Sequence, residues 1–345
     1  MENYESYEHI LEYLPHNNTS YINIKNEILY KNIHDFILEY DLSKVIISLS
    51  GGVDSMVLLD VIQQIKINDL HYLDIISCHV NYNNRDESTI EKNFLIDYCK
   101  YRNIDFHFID LSFKRGELKR DVYETESRTQ RYDFYRKLNL EHKINGVLLA
   151  HHEDDLIENI FNNIMRGNRE ITNITVLKPL NNILNVNIYR PMLNLRKNII
   201  YEYAHSYQIP YFLDTTPTWS CRGKMRNNIF PSCKDCYTDR FKDNLLNFGK
   251  ESDQLNTIIN DYILKDLLDS VTFFNGNIQL KKQKIIQEKY ILKNLLVKIA
   301  HKYKLCFKFK ILDSIILNYH KNIKLSMSKD YIVQINDESI LFLKQ

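Results

Sequence analysis

The stretch KVIISLSGGVDSMVLLDVIQQIK, residues 44–66, joins two elements of different periodicity. The β-branched run at residues 44–49 predicts a buried strand, and apolar residues then recur at helical spacing over residues 55–66. Between them lies the turn SGGVDS, residues 50–55. Two glycines let the backbone approach an anion, and the helix start offers free N–H groups and the positive end of its dipole. The sequence therefore predicts a loop that binds phosphate or pyrophosphate.

The predicted loop differs from two common phosphate-binding motifs. It contains neither GxxxxGK[ST] nor GxGxxG, so it is neither a Walker loop nor the dinucleotide fingerprint. Asp54 is unusual inside an anion cradle, because a carboxylate repels phosphate. A carboxylate at that position suits Mg²⁺, bound directly or through water, with the metal bridging phosphates. We therefore predict Asp54 as a magnesium ligand.

Strands and helices continue to alternate after this loop. Further strands are predicted at residues 73–80, 104–111, 145–152 and 185–191, and helices at residues 89–102, 121–142, 153–166 and 195–208. This alternation predicts an α/β fold with a doubly wound, parallel, five-stranded sheet and helices on both faces. Ligands of such sheets bind at the carboxyl ends of the strands.

The pattern changes after residue 214. Pro217, Gly223 and Pro231 predict a loop over residues 215–231. Helices are then predicted at residues 238–249, 253–268 and 284–303, followed by a terminal hairpin with its turn near Asn336 and Asp337. We expect an N-terminal extension with a helix at residues 1–40, a catalytic domain at 41–230, and a mainly helical domain with a small terminal β unit at 240–345.

Amino-acid composition and charge limit the classes of protein to which the chain can belong. The 345 residues carry 45 Lys plus Arg and 44 Asp plus Glu, a net charge of +1. The sequence has no apolar stretch of 18 residues, so we expect no membrane span. An acidic start without an apolar core and only six scattered cysteines favour a cytoplasmic protein with reduced thiols. Charge is uneven, since residues 281–345 hold 14 Lys against five acidic residues, a net of +9. Such clustering predicts a nucleic-acid partner for the C-terminal part.

Residues 50–55 resemble the signature of the ATP-pyrophosphatase family, which cuts ATP between the α- and β-phosphates and adenylates a carbonyl oxygen. Five further stretches are similar, in the same order, to those of tRNA(Ile)-lysidine synthetases. They are HVNYNNRDES at 79–88, ESRTQRYDFY at 126–135, AHHEDDLIENIFNNIMRG at 150–167, YRPMLNLRKNII at 189–200 and KMRNNIFP at 224–231. The resemblance covers about residues 40–235 and implies an adenine nucleotide alpha hydrolase-like fold.

The resemblance implies a reaction and assigns residues to it. A tRNA cytidine, adenylated at C2 with ATP and Mg²⁺, is attacked by free L-lysine. Asp155 and Glu158, three apart on one helix face, suit a cationic amine and would hold the lysine. Arg128 and Arg131 share a helix face suited to phosphate contacts. The expected catalytic residues are Asp54, Arg128, Arg131 and Asp155, and the expected ATP-binding residues are Ser50, Gly51, Gly52, Val53, Asp54 and Ser55.

The resemblance also implies contacts with the tRNA anticodon loop. Their expected positions are Asn81, Arg85, Arg166, Arg190, Arg226 and Asn227. Residues 214–228 replace the family's usual EDxSN segment, and Tyr82 replaces a histidine. These departures bear on substrate choice more than on adenylation. The oligomeric state, monomer or homodimer, stays open.

Three cysteines support an alternative function. Cys233 and Cys236 have a spacing common to metal and redox sites. With Cys221 they would suit the cluster of a tRNA sulfur transferase of the same fold, although chance cysteines near a loop are the favoured interpretation. A non-enzymatic tRNA-binding module is a third option. His151 and His152 are interpreted as hydrogen-bonding residues, because a zinc site needs three or four ligands.

Overall fold

The computed structural model describes residues 20–83, 87–113, 117, 119–167, 170–213, 218–305 and 309–345. The chain divides into two compact units, residues 1–169 with 174–249 and residues 170–173 with 250–345. The first unit therefore extends beyond the boundary expected at residues 230–240. The division between the units falls inside a helix, Arg240–Thr257, and not in a loop.

The first unit is built on a six-stranded sheet. Its strands are β1 Lys44–Leu49, β2 Asp74–Asn81, β3 Asp105–Asp110, β4 Val147–Leu148, β5 Leu180–Ile183 and β6 Val186–Tyr189. The order is β3-β2-β1-β4-β6-β5. Five strands are parallel, as predicted, and β5 adds an antiparallel edge through its hairpin with β6. The prediction of a doubly wound α/β fold is confirmed, with one more strand than expected.

Six helices of the first unit belong to the alternating part of the chain. They are α1 Ile28–Glu39, α2 Val53–Asn68, α3 Glu87–Tyr101, α4 Arg120–His142, α5 Glu153–Arg166 and α6 Lys197–Ser206. Val45, Ile46 and Ile47 of β1 are fully buried, as expected for a central strand with both faces covered. Leu29 and Ile33 of α1 belong to the same core as the sheet, so this helix is an integral part of the first unit.

A continuous helix replaces most of the loop predicted at residues 215–231. It covers residues 221–237 and contains α7 Cys221–Lys224, a π-helical turn Met225–Ile229 and α8 Phe230–Tyr237. The Ser220 hydroxyl caps its start by accepting a hydrogen bond from the Gly223 N–H at 2.9 Å. Pro231 lies just after the π-helical turn, where the regular α-helical hydrogen-bond pattern is already interrupted. The breaker residues were thus misleading here, and residues 214–217 lie outside the described part.

A buried carboxylate joins several elements of the first unit. Asp60 of α2 is fully buried. It accepts hydrogen bonds from Arg102 Nη2 at 2.5 Å, Tyr203 Oη at 2.8 Å and Tyr21 Oη at 3.0 Å. Since buried charges are stable only when paired and hydrogen-bonded, these four side chains fix α2 against α6 and the residues beyond α3.

The second unit combines helices with a sheet. A helix, α9 Arg240–Thr257, begins in the first unit, and from residue 250 its continuation belongs to the second. A π-helical part, Ile258–Leu264, and α10 Lys265–Asp269 extend it, and α11 Lys289–Lys302 and α12 Phe309–Leu317 follow. The strands are β7 Thr272–Phe274, β8 Asn277–Lys281, β9 Ile323–Ser326, β10 Tyr331–Ile335 and β11 Ser339–Lys344, in the order β7-β8-β11-β10-β9. The predicted terminal hairpin is β10 and β11. A helical region with terminal strands is confirmed, and its sheet has five strands. None of the helices in the described ranges is long and apolar enough to cross a bilayer.

Candidate active site

The turn at residues 50–55 leads from β1 into α2 and is held by its own hydroxyl groups. The Ser50 N–H donates to Ser55 Oγ at 3.1 Å, and the Gly52 N–H donates to Ser50 Oγ at 3.3 Å. Ser55 Oγ in turn donates to the Gly52 carbonyl at 3.0 Å. The loop is therefore organised before any ligand arrives, at the start of a helix where backbone N–H groups attract anions.

Gly51 shows why this turn needs glycine. Its φ is +83°, a region that side chains rarely adopt. A Cβ at this position would lie 3.2 Å from a ring carbon of Phe212. The Phe212 N–H also donates to the Gly51 carbonyl at 2.9 Å, so this residue closes one side of the loop.

Asp54, in the first turn of α2, is paired with a lysine from a distant element. Lys197 Nζ, at the start of α6, donates to both carboxylate oxygens of Asp54 at 2.5 and 2.6 Å. His152 Nε2 lies 3.6 Å from Asp54 Oδ1 and 3.4 Å from Asp155 Oδ2. This almost fully buried imidazole therefore connects the phosphate loop with the carboxylates of α5. Its Nδ1 has no hydrogen-bond partner among the described residues.

Asp155 and Glu158 lie together on α5, both more than 90% buried. Two arginines of the helix at residues 221–237 contact them. Arg222 Nη2 binds Asp155 Oδ1, and Arg222 Nε donates to Glu158 Oε2 at 2.5 Å. Arg226 Nε donates to Glu158 Oε1 at 2.5 Å, and its Nη2 lies 3.6 Å from Asp155 Oδ1. We call these four residues the arginine clasp.

Charge around α5 is balanced locally. Burial alone would raise the pKa of the Asp155 carboxyl, but His152 and Arg222 outweigh it and hold that pKa below its usual range. Burial likewise opposes the ionisation of Asp154, whose pKa is nevertheless lowered by Lys242 and by the backbone N–H of Lys197. Both carboxylates are therefore ionised at neutral pH, as the binding of a cation requires.

Arg128 and Arg131 are both on α4, as predicted, but in different surroundings. Each guanidinium lies 5.2 Å from the ring centre of Tyr132. Arg131 is partly buried and donates to Tyr82 Oη at 3.3 Å, whereas Arg128 is exposed. Tyr82, which stands where the resemblance expects histidine, thus positions one of the two proposed catalytic arginines.

The residues expected to contact tRNA are spread over several environments. Arg166, at the end of α5, and Asn227 are exposed. Asn81 is 1% exposed and donates to Asp110 Oδ1 at 2.7 Å and to Asn83 Oδ1 at 2.9 Å, so it organises the chain after β2. Arg85 lies outside the described residues.

Arg190 also supports the interior. It is 3% exposed and donates to the Lys178 carbonyl at 2.8 Å, to Asn181 Oδ1 at 2.7 Å and to His151 Nδ1 at 3.0 Å. Burial lowers the pKa of His151 to about 4, so this ring is neutral and accepts the bond. In this arrangement Arg190 fixes the strand end beside the site.

The sequence did not single out two cations of the site. Lys197 lies within the stretch at residues 189–200 that was recognised, but no role was assigned to it. Arg222 lies in the segment predicted as a loop, where side chains have no fixed direction. A signal was available for Lys197, because a stretch that leads from the end of a parallel strand into a helix belongs to the ligand side of the sheet. For Arg222 no comparable signal was present in the sequence.

The three cysteines do not form a shared metal site. Cys221 and Cys236 are exposed and Cys233 is half-buried, and all are free thiols. Within the part of the chain that the structure describes, their sulfurs join no group of three or more His, Cys, Asp or Glu ligands close enough to hold one ion. The geometry therefore gives no support to a three-cysteine cluster.

Comparison with known proteins gives the class of this fold and site. A family model described as a PP-loop domain matches residues 25–233. The chain therefore belongs to the PP-loop family, whose membership indicates ATP as the nucleotide. The resemblance inferred from the motifs is confirmed.

Particular relatives narrow the comparison. The chain is 28% identical over 245 residues to the tRNA(Ile)-lysidine synthase of Mycoplasma mycoides subsp. mycoides SC. The aligned region covers 71% of this chain and 59% of that protein. It is 26% identical over 318 residues to the tRNA(Ile)-lysidine synthase of Ureaplasma parvum serovar 3, covering 90% and 86%. This chain thus spans only about three fifths of the Mycoplasma protein. Among solved structures, U34-tRNA thiolase NcsA from Methanococcus maripaludis gives a TM-score of 0.53 at 14% identity, over 66% of this chain and 78% of that one, a similarity of fold alone.

Proposed function

We propose that the protein is a tRNA(Ile)-lysidine synthetase-like ligase. It adenylates C2 of the anticodon wobble cytidine with ATP, joins free L-lysine to that carbon, and releases AMP and pyrophosphate. One observation carries the proposal: a single histidine, His152, lies within 3.6 Å of both Asp54 at the phosphate loop and Asp155 at the carboxylate pair. A nucleotide site and an amine site thus adjoin, as attack of an amine on an adenylated base requires.

The nucleotide end binds and orients ATP. The N–H groups at residues 50–55 and the start of α2 receive the phosphates. Lys197 brings a positive charge to the same place. Arg128 and Arg131 of α4 are proposed to stabilise charge that develops on the α-phosphate when the cytidine oxygen attacks.

A magnesium ion fits the donor set at this end. Mg²⁺ is commonly held by one or two carboxylates together with substrate phosphates, and Asp54 offers one carboxylate, 28% exposed, at the start of the loop. When bound, the ion would offset the negative charge of the phosphates. Without it, Lys197 holds the same two oxygens, so the carboxylate is already oriented.

The amine end is the pair Asp155 and Glu158. Two buried carboxyl groups on one helix face suit the ε-ammonium of lysine. In the structure Arg222 and Arg226 bind the same oxygens. We therefore propose that Arg222, whose side chain is 47% exposed, leaves the pair when lysine enters.

The second unit is proposed to hold tRNA. Its part from residue 281 onwards carries the net charge of +9, and phosphate neutralisation by lysine supplies most non-specific affinity for nucleic acids. A cavity of about 530 Å³ in this unit is lined by Lys282, Gln283, Lys284, Gln287, Tyr319, His320 and Asp337. Lys282 Nζ lies 4.6 Å from the ring centre of Tyr319, a buried ring that holds the ammonium group at this cavity.

The test uses purified full-length protein with ATP, lysine and tRNA(Ile) bearing a CAU anticodon. We expect AMP release that depends on both lysine and tRNA, together with a cytidine whose mass has increased by that of lysine less water. A tRNA without a cytidine at the wobble position is the matched control and should give neither. AMP release without lysine, or a sulfur-containing base when sulfide is added as the sulfur donor, would instead favour the thiolation reaction.

A further inference from the structure

Two histidines and an aspartate lie together at the side of the first unit away from the phosphate loop. Asp105 and His107 are alternate residues of β3, so they share a face of the strand, and β3 is at the edge of the sheet. His142 is the last residue of α4. Asp105 begins β3, and the phosphate loop follows the end of β1, so the two places are at opposite ends of a parallel sheet.

The three side chains already converge. His107 Nε2 lies 3.1 Å from Asp105 Oδ2, and the rings of His107 and His142 meet edge to face with centroids 4.9 Å apart. One ligand atom from each residue can be chosen so that all three lie within 4.8 Å of one another. Asp105 and His107 remain 56% and 31% exposed, so an ion can reach them from solvent.

The donor types select a class of ion. Imidazole nitrogen suits zinc and its neighbours among the transition metals, whereas Mg²⁺ and Ca²⁺ prefer oxygen ligands. Two histidines and one carboxylate are a common zinc set, with water in the fourth position. The end of α4 adds the negative end of a helix dipole beside His142, which favours a cation.

We propose that Asp105, His107 and His142 form a zinc site that fastens the end of α4 to the edge strand β3. An ion bound there would join two elements whose side chains otherwise meet through a hydrogen bond and a ring contact. The site takes no part in the adenylation proposed above, and its test does not depend on that activity.

The experiment measures zinc binding to metal-free full-length protein by calorimetry. We expect one zinc ion per chain and a higher melting temperature with zinc present. His107→Asn and His142→Asn should each weaken zinc binding by at least ~10-fold. His71→Asn, a change of another exposed histidine, should leave it unaltered.

A second control addresses the thiols, because Cys233 and Cys236 also attract zinc. The double variant Cys233→Ser/Cys236→Ser should retain the tight site. Absence of zinc binding, or binding that survives both histidine changes and disappears with the cysteines, would overturn the proposal. The melting temperature of each variant without zinc shows whether it folds. If a histidine variant does not fold, Asp105→Asn, which changes a more exposed side chain, is used in its place.

Discussion

Removal of the Arg222 guanidinium should make lysine binding tighter. In the arginine clasp this group binds Asp155 Oδ1 and Glu158 Oε2, the oxygens proposed for the substrate ammonium. Arg222 is then an intramolecular competitor, and lysine binds only the fraction of molecules in which the clasp is open. The apparent dissociation constant equals the intrinsic one divided by that fraction. Arg222→Gln removes the competing charge.

The size of the effect follows from the exposure of the groups. Hydrogen bonds to charged groups contribute about 1.5–3 kcal/mol when buried, and exposed ion pairs about 0–1 kcal/mol. Arg222 is 47% exposed while its carboxylate partners are below 10%, so an intermediate value of about 1.4 kcal/mol applies. This corresponds to a clasp open in roughly one molecule in ten. The half-saturating lysine concentration should therefore fall about ten-fold in Arg222→Gln.

The assay records AMP release against lysine concentration with saturating ATP and tRNA. Lys224→Gln is the matched control, because it removes the same charge from an exposed position on the same helix, and it should behave as wild type. An unchanged half-saturating concentration in Arg222→Gln would refute the competition. A raised one would mean that Arg222 binds the carboxylate of lysine instead. If AMP release by the wild-type protein does not depend on lysine, the proposed reaction is wrong, and the competition by Arg222 is not what has failed.

Three other outcomes follow from the structure. Asp60→Asn should lower the free energy of unfolding by about 3–5 kcal/mol, because it leaves a buried guanidinium without its charge partner. The control Asp74→Asn changes an exposed ion pair and should lower it by less than about 1 kcal/mol. Equal losses for the two variants in denaturant titrations would contradict this prediction. Lys197→Gln should raise the half-saturating ATP concentration about ten-fold in pyrophosphate exchange, as expected for losing a charge-assisted bond, with no change for lysine. Lys282→Gln and Lys284→Gln should each weaken tRNA binding and reduce its salt dependence by about one unit of slope, and an unaltered slope in filter binding would exclude a phosphate contact.

The first unit could be predicted well from the sequence because its two periodicities alternate without interruption. The central strands are continuous β-branched runs, which only a covered parallel sheet accommodates. β5 was missed because LNNI at residues 180–183 is short and half polar. In the second unit, Asn275-Gly276 between β7 and β8 is a strong hairpin signal that could have predicted these two strands.

Some residues of the candidate site could be predicted from the sequence and others could not, and the two groups differ in a physical way. Loop and carboxylate residues are recognisable because their chemistry depends on neighbours in the sequence. The partners of these residues are distant, since Lys197 is 143 residues from Asp54 and Arg222 is 67 residues from Asp155. Such pairings depend on tertiary packing, and the segment that carries Arg222 contains proline and glycine, which wrongly suggested a loop.

Phe212 ties the phosphate loop to a segment that is about 160 residues away in the sequence. Its backbone N–H bonds to the Gly51 carbonyl, and its ring lies beside the position that a Cβ of Gly51 would take. A nucleotide that shifts the loop therefore acts on Phe212 as well. Any other binding event that moves Phe212 must change the affinity for nucleotide by the same free energy, because coupling between binding sites is reciprocal.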